Sequence, residues 1–200
     1  MAGRPRKRPV DESLEIAAEV FWRRGYEATS INDLTEALEI GPSSLYNTFG
    51  SKADLFRRAM DLYNAQNGGF MVSALSRPHA GEALRALLVS AVSTFTRPDR
   101  PRGCAVLSSG RLDQPKSADA DADLINRRTA TLMMLTQRIE QGVSDGHLKP
   151  DLDAKGLARA ILGVLQALSA QAQDDASADD LHRMVNQMLP IIDLAQAQPA

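Results

Sequence analysis

A single cysteine, Cys104, leaves no partner for an intramolecular disulfide, and a reducing compartment suits such a chain. Histidine is equally sparse: His79, His147 and His182 are scattered without the spacing of a metal site. No uninterrupted apolar run approaches the length of a membrane span, and the basic N-terminus is not followed by the apolar core of a signal peptide. A cytoplasmic protein with no membrane partner is therefore expected. Also missing at meaningful spacing are a nucleophile with its base, a glycine-rich phosphate loop and a cluster of metal ligands. That disfavours an enzyme and leaves no cofactor to expect. Neither strand alternation nor an internal repeat is visible. What remains is a helix-patterned chain of 200 residues, 44% of them hydrophobic, enough for a substantial core in one large domain or a small domain joined to a larger one.

The formal net charge of −2 would argue against nucleic-acid binding if it were spread evenly. It is polarised instead. Residues 1–8 carry Arg4, Arg6, Lys7 and Arg8 and no acidic side chain, whereas from Asp151 onward three basic residues stand against seven aspartates. DNA is expected at the basic end and not at the acidic one. Residues 1–9, MAGRPRKRP, bury nothing and are expected to be disordered alone. Such a segment is either a solvated tail or an arm lying along phosphates or in a minor groove. Its attachment to the motif that follows favours the arm.

That motif spans Thr29 to Lys52, TSINDLTEALEIGPSSLYNTFGSK. Ile31, Leu34 and Leu38 form one apolar stripe, and Ser30 with Asp33 three residues on is a capping-box start. Glu39-Ile40-Gly41-Pro42 breaks the helix, with Gly41 free to take positive φ and Pro42 suited to the head of a second helix. The second helix runs to about Phe49 and buries Leu45 and Phe49. It leaves Ser43, Ser44, Tyr46, Asn47 and Thr48 as a mostly exposed polar face able to reach phosphates and base edges. Ser51, with Asp54 behind it, starts a third helix. Two short helices, a tight turn and a third helix make a helix-turn-helix. Upstream, Asp11 is expected to cap a helix that carries Leu14, Ala17, Ala18 and Phe21 on one face and stops at Gly25, with Trp22 and Tyr26 as core residues.

The stretch LEIGPSSLYNTFGSKADLF resembles the signature of the TetR family of bacterial transcriptional regulators, through Leu45-Tyr46, Phe49 and Lys52. The segment Phe21 to Ile40 is similar to that family's first and second helices. Gly41-Pro42 departs from the serine and basic residue with which members often enter the recognition helix. The resemblance implies a homodimeric, ligand-responsive regulator, most often a repressor, which binds a palindromic double-stranded DNA operator and releases it when a small-molecule effector binds. On this reading Arg4, Arg6, Lys7 and Arg8 contact DNA from the arm, Tyr46 and Lys52 contact phosphates, and Ser43, Ser44, Asn47 and Thr48 enter the groove. Thr29, Ser30 and Pro42 complete the set. A helical enzyme, or an adaptor whose basic arm binds an acidic protein, is the alternative.

The whole chain reads as all-α with about nine helices: a basic arm over residues 1–9, a helix-turn-helix domain over 10–55, and an effector-binding and dimerisation domain over 56–195. The helix after Ser51 carries two stripes, Leu55, Ala59 and Leu62 beside Phe56, Met60 and Tyr63, and Asn67-Gly68-Gly69 offers a hinge. Further helices are expected over Gly81 to Phe95, over Cys104 to Leu112, through Ile125, Leu132, Leu135 and Ile139, from Asp153 to about Gln173, and from Leu181 onward with a kink at Pro190. The Arg-Gly-Cys entry at Cys104 also resembles a subset of TetR-like chains, and the cysteine reads as a small buried hydrophobe rather than a redox sensor. Tyr63, Phe95, Met133 and Met134 are candidate walls of an effector pocket, with Gln137 as a polar contact, although such residues at helical spacing are usually core. Small residues recur beside the apolar stripe of the penultimate helix. Gly156, Ala160, Gly163, Val164 and Ala167, with Met184 and Met188 on the last helix, form the expected dimer face.

Overall fold

Side-chain caps at Ser30, Ser51, Asp153 and Ser177 start four of the helices in the computed structural model, which describes residues 8–107 and 118–197. Among these residues lie nine helices: α1 Val10–Arg24, α2 Ile31–Leu38, α3 Pro42–Phe49, α4 Lys52–Asn67, α5 Gly69–Leu75, α6 Ala80–Phe95, α7 Ala118–Ser144, α8 Ala154–Gln173 and α9 Ala178–Ala195. The only β-pairing among the described residues is an isolated bridge between Leu148 and Gln196. Arg4, Arg6 and Lys7 lie outside the described residues.

The described chain divides into two compact units: residues 8–66 with 118–123, and residues 67–107 with 124–197. The boundary expected after residue 55 falls inside α4, and the first unit extends to Gln66. The reason is visible in α4 itself, where Ala59, Met60 and Tyr63 continue the buried stripe begun by Leu55 and Phe56. Phe21 of α1 meets Phe56 edge-on at 5.0 Å, Tyr26 meets the same ring at 5.1 Å, and Trp22 packs on Tyr63 at 4.9 Å. Trp22 and Tyr26 thus serve the core, as the sequence suggests. Pro9, not Asp11, is the N-cap of α1, and its carbonyl accepts both the N–H and the hydroxyl of Ser13, each at 3.1 Å. Asp11 sits in the first turn, where its charge complements the helix N-terminus.

The core of the second unit is built by α5, α6, α8 and α9 with part of α7, around Leu84, Leu87, Leu88, Phe95, Leu135, Ile139, Leu165 and Leu168. Helix α5 is absent from the sequence reading, which has only a hinge at Gly68-Gly69; seven residues are too few for a periodic signal. Arg138 of α7 closes its C-terminal end, donating to the carbonyls of Leu75 at 3.0 Å and of Arg77 and Pro78 at 2.9 Å each. The helix expected over Cys104 to Leu112 does not form where it can be followed: residues 105–107 make a turn, and 108–112 lie outside the described residues.

Cys104 is held by its backbone rather than by its thiol. Its N–H donates to the Ser169 hydroxyl at 2.7 Å, inside a core where Ser169 has no exposed surface. The preceding Gly103 has φ 78°, and a Cβ there would lie 2.6 Å from the Ser169 carbonyl oxygen, so the loop approaches α8 only through a glycine. Ser169→Ala removes the acceptor and leaves a buried N–H unpaired, a loss of about 1–3 kcal/mol. Urea unfolding of the variant is expected to show that loss of stability, whereas Ser169→Thr, which keeps the hydroxyl, should lose less.

Candidate nucleic-acid interface

The recognition surface begins with the cap of α2. Ser30 accepts the Asp33 N–H at 3.1 Å, and the Asp33 carboxylate accepts the Ser30 N–H and hydroxyl at 2.8 Å each, closing a complete capping box. These bonds from Ser30, assisted by the neighbouring Arg24 guanidinium, hold the Asp33 carboxyl below the usual carboxylate value. Ser51 and Asp54 repeat the arrangement at the head of α4.

Between α2 and α3 the left-handed position falls on Glu39 and not on Gly41. Gly41 is extended, at φ −77° and ψ 158°, and serves as the N-cap of α3, while Glu39 takes the left-handed conformation at φ 57°. A non-glycine residue there costs roughly 1–3 kcal/mol unless its surroundings hold it. The surroundings do. The Glu39 N–H donates back to the Glu36 carbonyl and the Ile40 N–H to Thr35, each at 3.1 Å, as in a Schellman-type stop. Pro42 takes the first position of α3, as expected, where its missing N–H costs nothing.

Leu45 and Phe49 anchor α3 inward with 0% and 4% of their surface exposed. Ser43, Ser44, Tyr46 and Asn47 are exposed and Thr48 is half-buried, so the polar face has the orientation the spacing predicts. No residue of α3 is charged. At its C-terminal end, Arg58 of α4 donates to the Thr48 carbonyl at 3.2 Å and lies 5.3 Å from the Phe49 ring centre. Arg58 fixes the orientation of α3 and is absent from the sequence-derived set, because its partners lie ten residues away on another helix and no local pattern marks them.

The structure separates the remaining candidates. Ser30 and Pro42 are exposed, the one capping α2 and the other heading α3. Thr29 is fully buried and donates its hydroxyl to the Gly25 carbonyl at 2.6 Å, so its side chain does not reach the surface and acts as a brace for the α1–α2 corner. Lys52, at the first position of α4, holds its ammonium 4.2 Å from the centre of the Tyr26 ring. Burial lowers its pKa, and the charges of Glu27 and Asp33 oppose that shift. Arg8 does not project from the domain: it donates to the Leu38 carbonyl at 2.8 Å and pairs with Glu12 and Glu39. Residues 8–66 contain six basic and ten acidic side chains, a net of −4, so the positive charge of this end of the chain is concentrated in Arg4, Arg6 and Lys7.

The candidate effector residues differ in burial and in the unit to which they belong. Phe95 is buried in the second unit against Phe70, Met133 and Met134 are 57% and 40% exposed, Gln137 is exposed, and Tyr63 belongs to the first unit, edge-on to Trp22. On α8, Gly156, Ala160 and Gly163 are exposed, Ala167 is half-buried and Val164 is buried, while Met184 and Met188 are half-buried on α9. A Cβ at Gly163 would meet nothing within 4 Å. Gly156 has a local reason to be glycine, since a side chain there would run into the Asp153 carboxylate that accepts the Gly156 N–H at 2.9 Å.

Residues 14–59 match the model of the bacterial regulatory proteins of the tetR family, and residues 80–188 match that of the tetracyclin repressor-like C-terminal domain. The HTH-type transcriptional repressor ComR of Escherichia coli is 30% identical over 189 residues, covering 94% of this chain and 90% of the relative. The HTH-type transcriptional regulator YezE of Bacillus subtilis is 30% identical over 196 residues, covering 94% and 99%. Among solved structures, a cysteine mutant of the TetR family transcriptional regulator CifR, complexed with 26-base-pair double-strand operator DNA, superposes with a TM-score of 0.88 at 38% identity. It covers 94% of this chain and 98% of that one.

The capping boxes give this surface a pH dependence. Asp33 and Asp54 have folded pKa values below the ordinary 3.8, so the stability they contribute is fully present above that value and is lost as pH falls through the folded values. Acid titration followed by NMR should place both carboxyl midpoints below 3.8. Asp33→Asn should reduce the acid sensitivity of the helix-turn-helix below the ordinary carboxylate value of 3.8. Midpoints at or above the ordinary value would show that the boxes are open in solution.

Proposed function

We propose that this chain, which belongs to the TetR family of bacterial regulatory proteins, binds a palindromic operator as a homodimer and represses transcription until a small-molecule effector releases it. The observation that carries the DNA-binding part is the orientation of α3: a braced helix with Leu45 and Phe49 inward and Ser43, Ser44, Tyr46 and Asn47 outward. Repression and operator binding are stated for relatives of similar length, ComR and CifR. A regulator of this kind works in the cytoplasm and needs no catalytic step. No described helix is long and apolar enough to cross a membrane.

In this mechanism specificity and affinity have different sources. The uncharged face of α3 reads base edges, with Ser44 and Asn47 in the groove, while Arg4, Arg6 and Lys7 contribute phosphate attraction; Tyr46 and Lys52 flank the groove as phosphate contacts. The effector is assigned to the second unit as a whole and not to the five residues named from the sequence, since only Phe95 among them is buried in that unit's core. Effector and operator affinities are reciprocally linked if the effector favours a state in which the two recognition helices no longer match successive major grooves.

Selection of bound duplexes from a random pool should return an inverted repeat with half-sites about one helical turn, or a multiple of it, apart. Asn47→Ala should then lose discrimination against single-base variants by about 1–3 kcal/mol if its contact is bidentate, and Ser44→Ala should lose less. Neither should change the salt dependence. A pool that yields no enriched sequence at moderate salt would overturn the regulator reading.

The dimer is proposed to form through α8 and α9, supported by the exposed row Gly156, Ala160 and Gly163 beside half-buried Ala167, which lets a second backbone come close. Gly163 is exposed and a Cβ there meets no described atom within 4 Å, so Gly163→Glu should fold, sediment as a monomer and lose operator affinity. A dimer of unchanged strength would move the contact elsewhere.

A further inference from the structure

We propose that Arg8 is a positioning residue: it fixes the point at which the basic arm leaves the helix-turn-helix, and does not itself neutralise a phosphate. This rests on the DNA-binding reading above. The guanidinium is engaged on all sides that matter. One terminal nitrogen donates to the Leu38 carbonyl at 2.8 Å, the other approaches the Glu39 carboxylate at 3.4 Å, and Nε lies 3.2 Å from the Glu12 carboxylate. Only 25% of the side-chain surface is exposed.

Two of those partners belong to the turn that aims α3. The Leu38 carbonyl ends α2 and lacks an intrahelical donor, and Glu39 is the residue held at φ 57°. The chain on the other side of Arg8 is equally constrained. Pro9 has φ −54°, and its carbonyl accepts two hydrogen bonds from Ser13. Arg8 therefore ties the start of α1 to the end of α2, and this fixes the residue to which the arm is joined. Arg4 lies four residues before Arg8 and so within about 14 Å of it even when the chain is fully extended, and an anchor displaced by several ångströms changes which phosphates the arm's basic residues can meet. Moving Arg8 onto a phosphate would also leave Glu12 and Glu39 without their cation next to the DNA backbone.

The geometry calls for a fork rather than a charge, because a carbonyl and two carboxylates are engaged by three different nitrogens. That makes Arg8→Lys informative beside Arg8→Gln. The experiment is a double-mutant cycle on the selected operator, with Arg8→Gln combined with a neutral arm carrying Arg4→Gln, Arg6→Gln and Lys7→Gln. Affinity is measured across a salt series, and the thermal midpoint of each variant is recorded.

In the wild-type arm, Arg8→Gln should weaken operator binding by several-fold and remove hydroxyl-radical protection at the operator flanks while keeping the protection centred on the half-sites. In the neutral-arm background it should change affinity by less than about twofold, with no further flattening of the salt slope. Arg8→Lys should behave as Arg8→Gln does. The proposal is overturned if Lys restores binding, or if Arg8→Gln flattens the slope of the neutral-arm protein by up to about 0.9 per protomer, since either marks a phosphate contact. Fully additive losses with flank protection retained would overturn it too, by reducing Arg8 to a brace of the fold. If Arg8→Gln fails to fold, Glu39→Gln tests the same anchor: it should reduce flank protection in the wild-type arm and do nothing in the neutral one. A parent protein that binds no operator would instead remove the regulator reading beneath the proposal.

Discussion

The last carbonyls of α2 and α3 have no donors within their own helices, and the geometry of the helix-turn-helix depends on what satisfies them. Helices of eight residues are marginal alone, so their direction is set by what meets their ends and their buried faces. For α2 the donors are the N–H groups of Glu39 and Ile40 and the Arg8 guanidinium; for α3 they are the Gly50 N–H and the Arg58 guanidinium. Both arginines come from outside the two helices, one from the chain before α1 and one from α4. The motif is thus held by three helices and a segment of coil, and the polar face of α3 inherits its orientation from groups that are not on that face.

The same theme of distant donors runs through the second unit. Arg138 of α7 closes the end of α5, and the hydroxyl of Ser169 on α8 receives the Cys104 N–H. Cysteine at this position is therefore placed by its main chain, and its neighbour Gly103 is required by the approach of two backbones. At the other end of this unit the tail joins the turn after α7, with Lys149 and Ala197 donating to the carbonyls of Ala195 and His147 at 3.0 and 3.2 Å.

Features confined to a few consecutive residues were legible in the sequence. Ser30 with Asp33, Ser51 with Asp54, Pro42 at a helix head and the inward pair Leu45 and Phe49 all rest on bonds or contacts three or four residues apart, and all are present. The all-α class follows from the periodicity of α6 and α8, whose apolar positions are also their buried ones. What escaped was chosen by partners far along the chain. A left-handed Glu39 beside a more permissive glycine, the 30-residue reach from Arg8 to Leu38, and Arg58 against Phe49 have no local signature. Thr29 illustrates the reverse error: a hydroxyl next to a DNA-binding motif suggests a contact, but its acceptor is the carbonyl of the glycine four residues back. The short α5 fell between two glycines and a proline, where turn residues outweigh seven residues of weak pattern.

An α3 without charge has a consequence for how such a protein diverges. Apart from Tyr46, its outward side chains are short, polar and neutral, so on the proposed reading exchanging one for another would alter which base edge is favoured while leaving the electrostatic attraction to DNA where it was. After a gene duplication, one copy can drift toward a new site through Ser, Asn and Thr replacements without first passing through a form too weak to stay on the chromosome or too sticky to leave it. The same neutrality limits the opposite route, because an arginine gained on this helix would strengthen attachment to every sequence at once and blur the copy's identity before sharpening it.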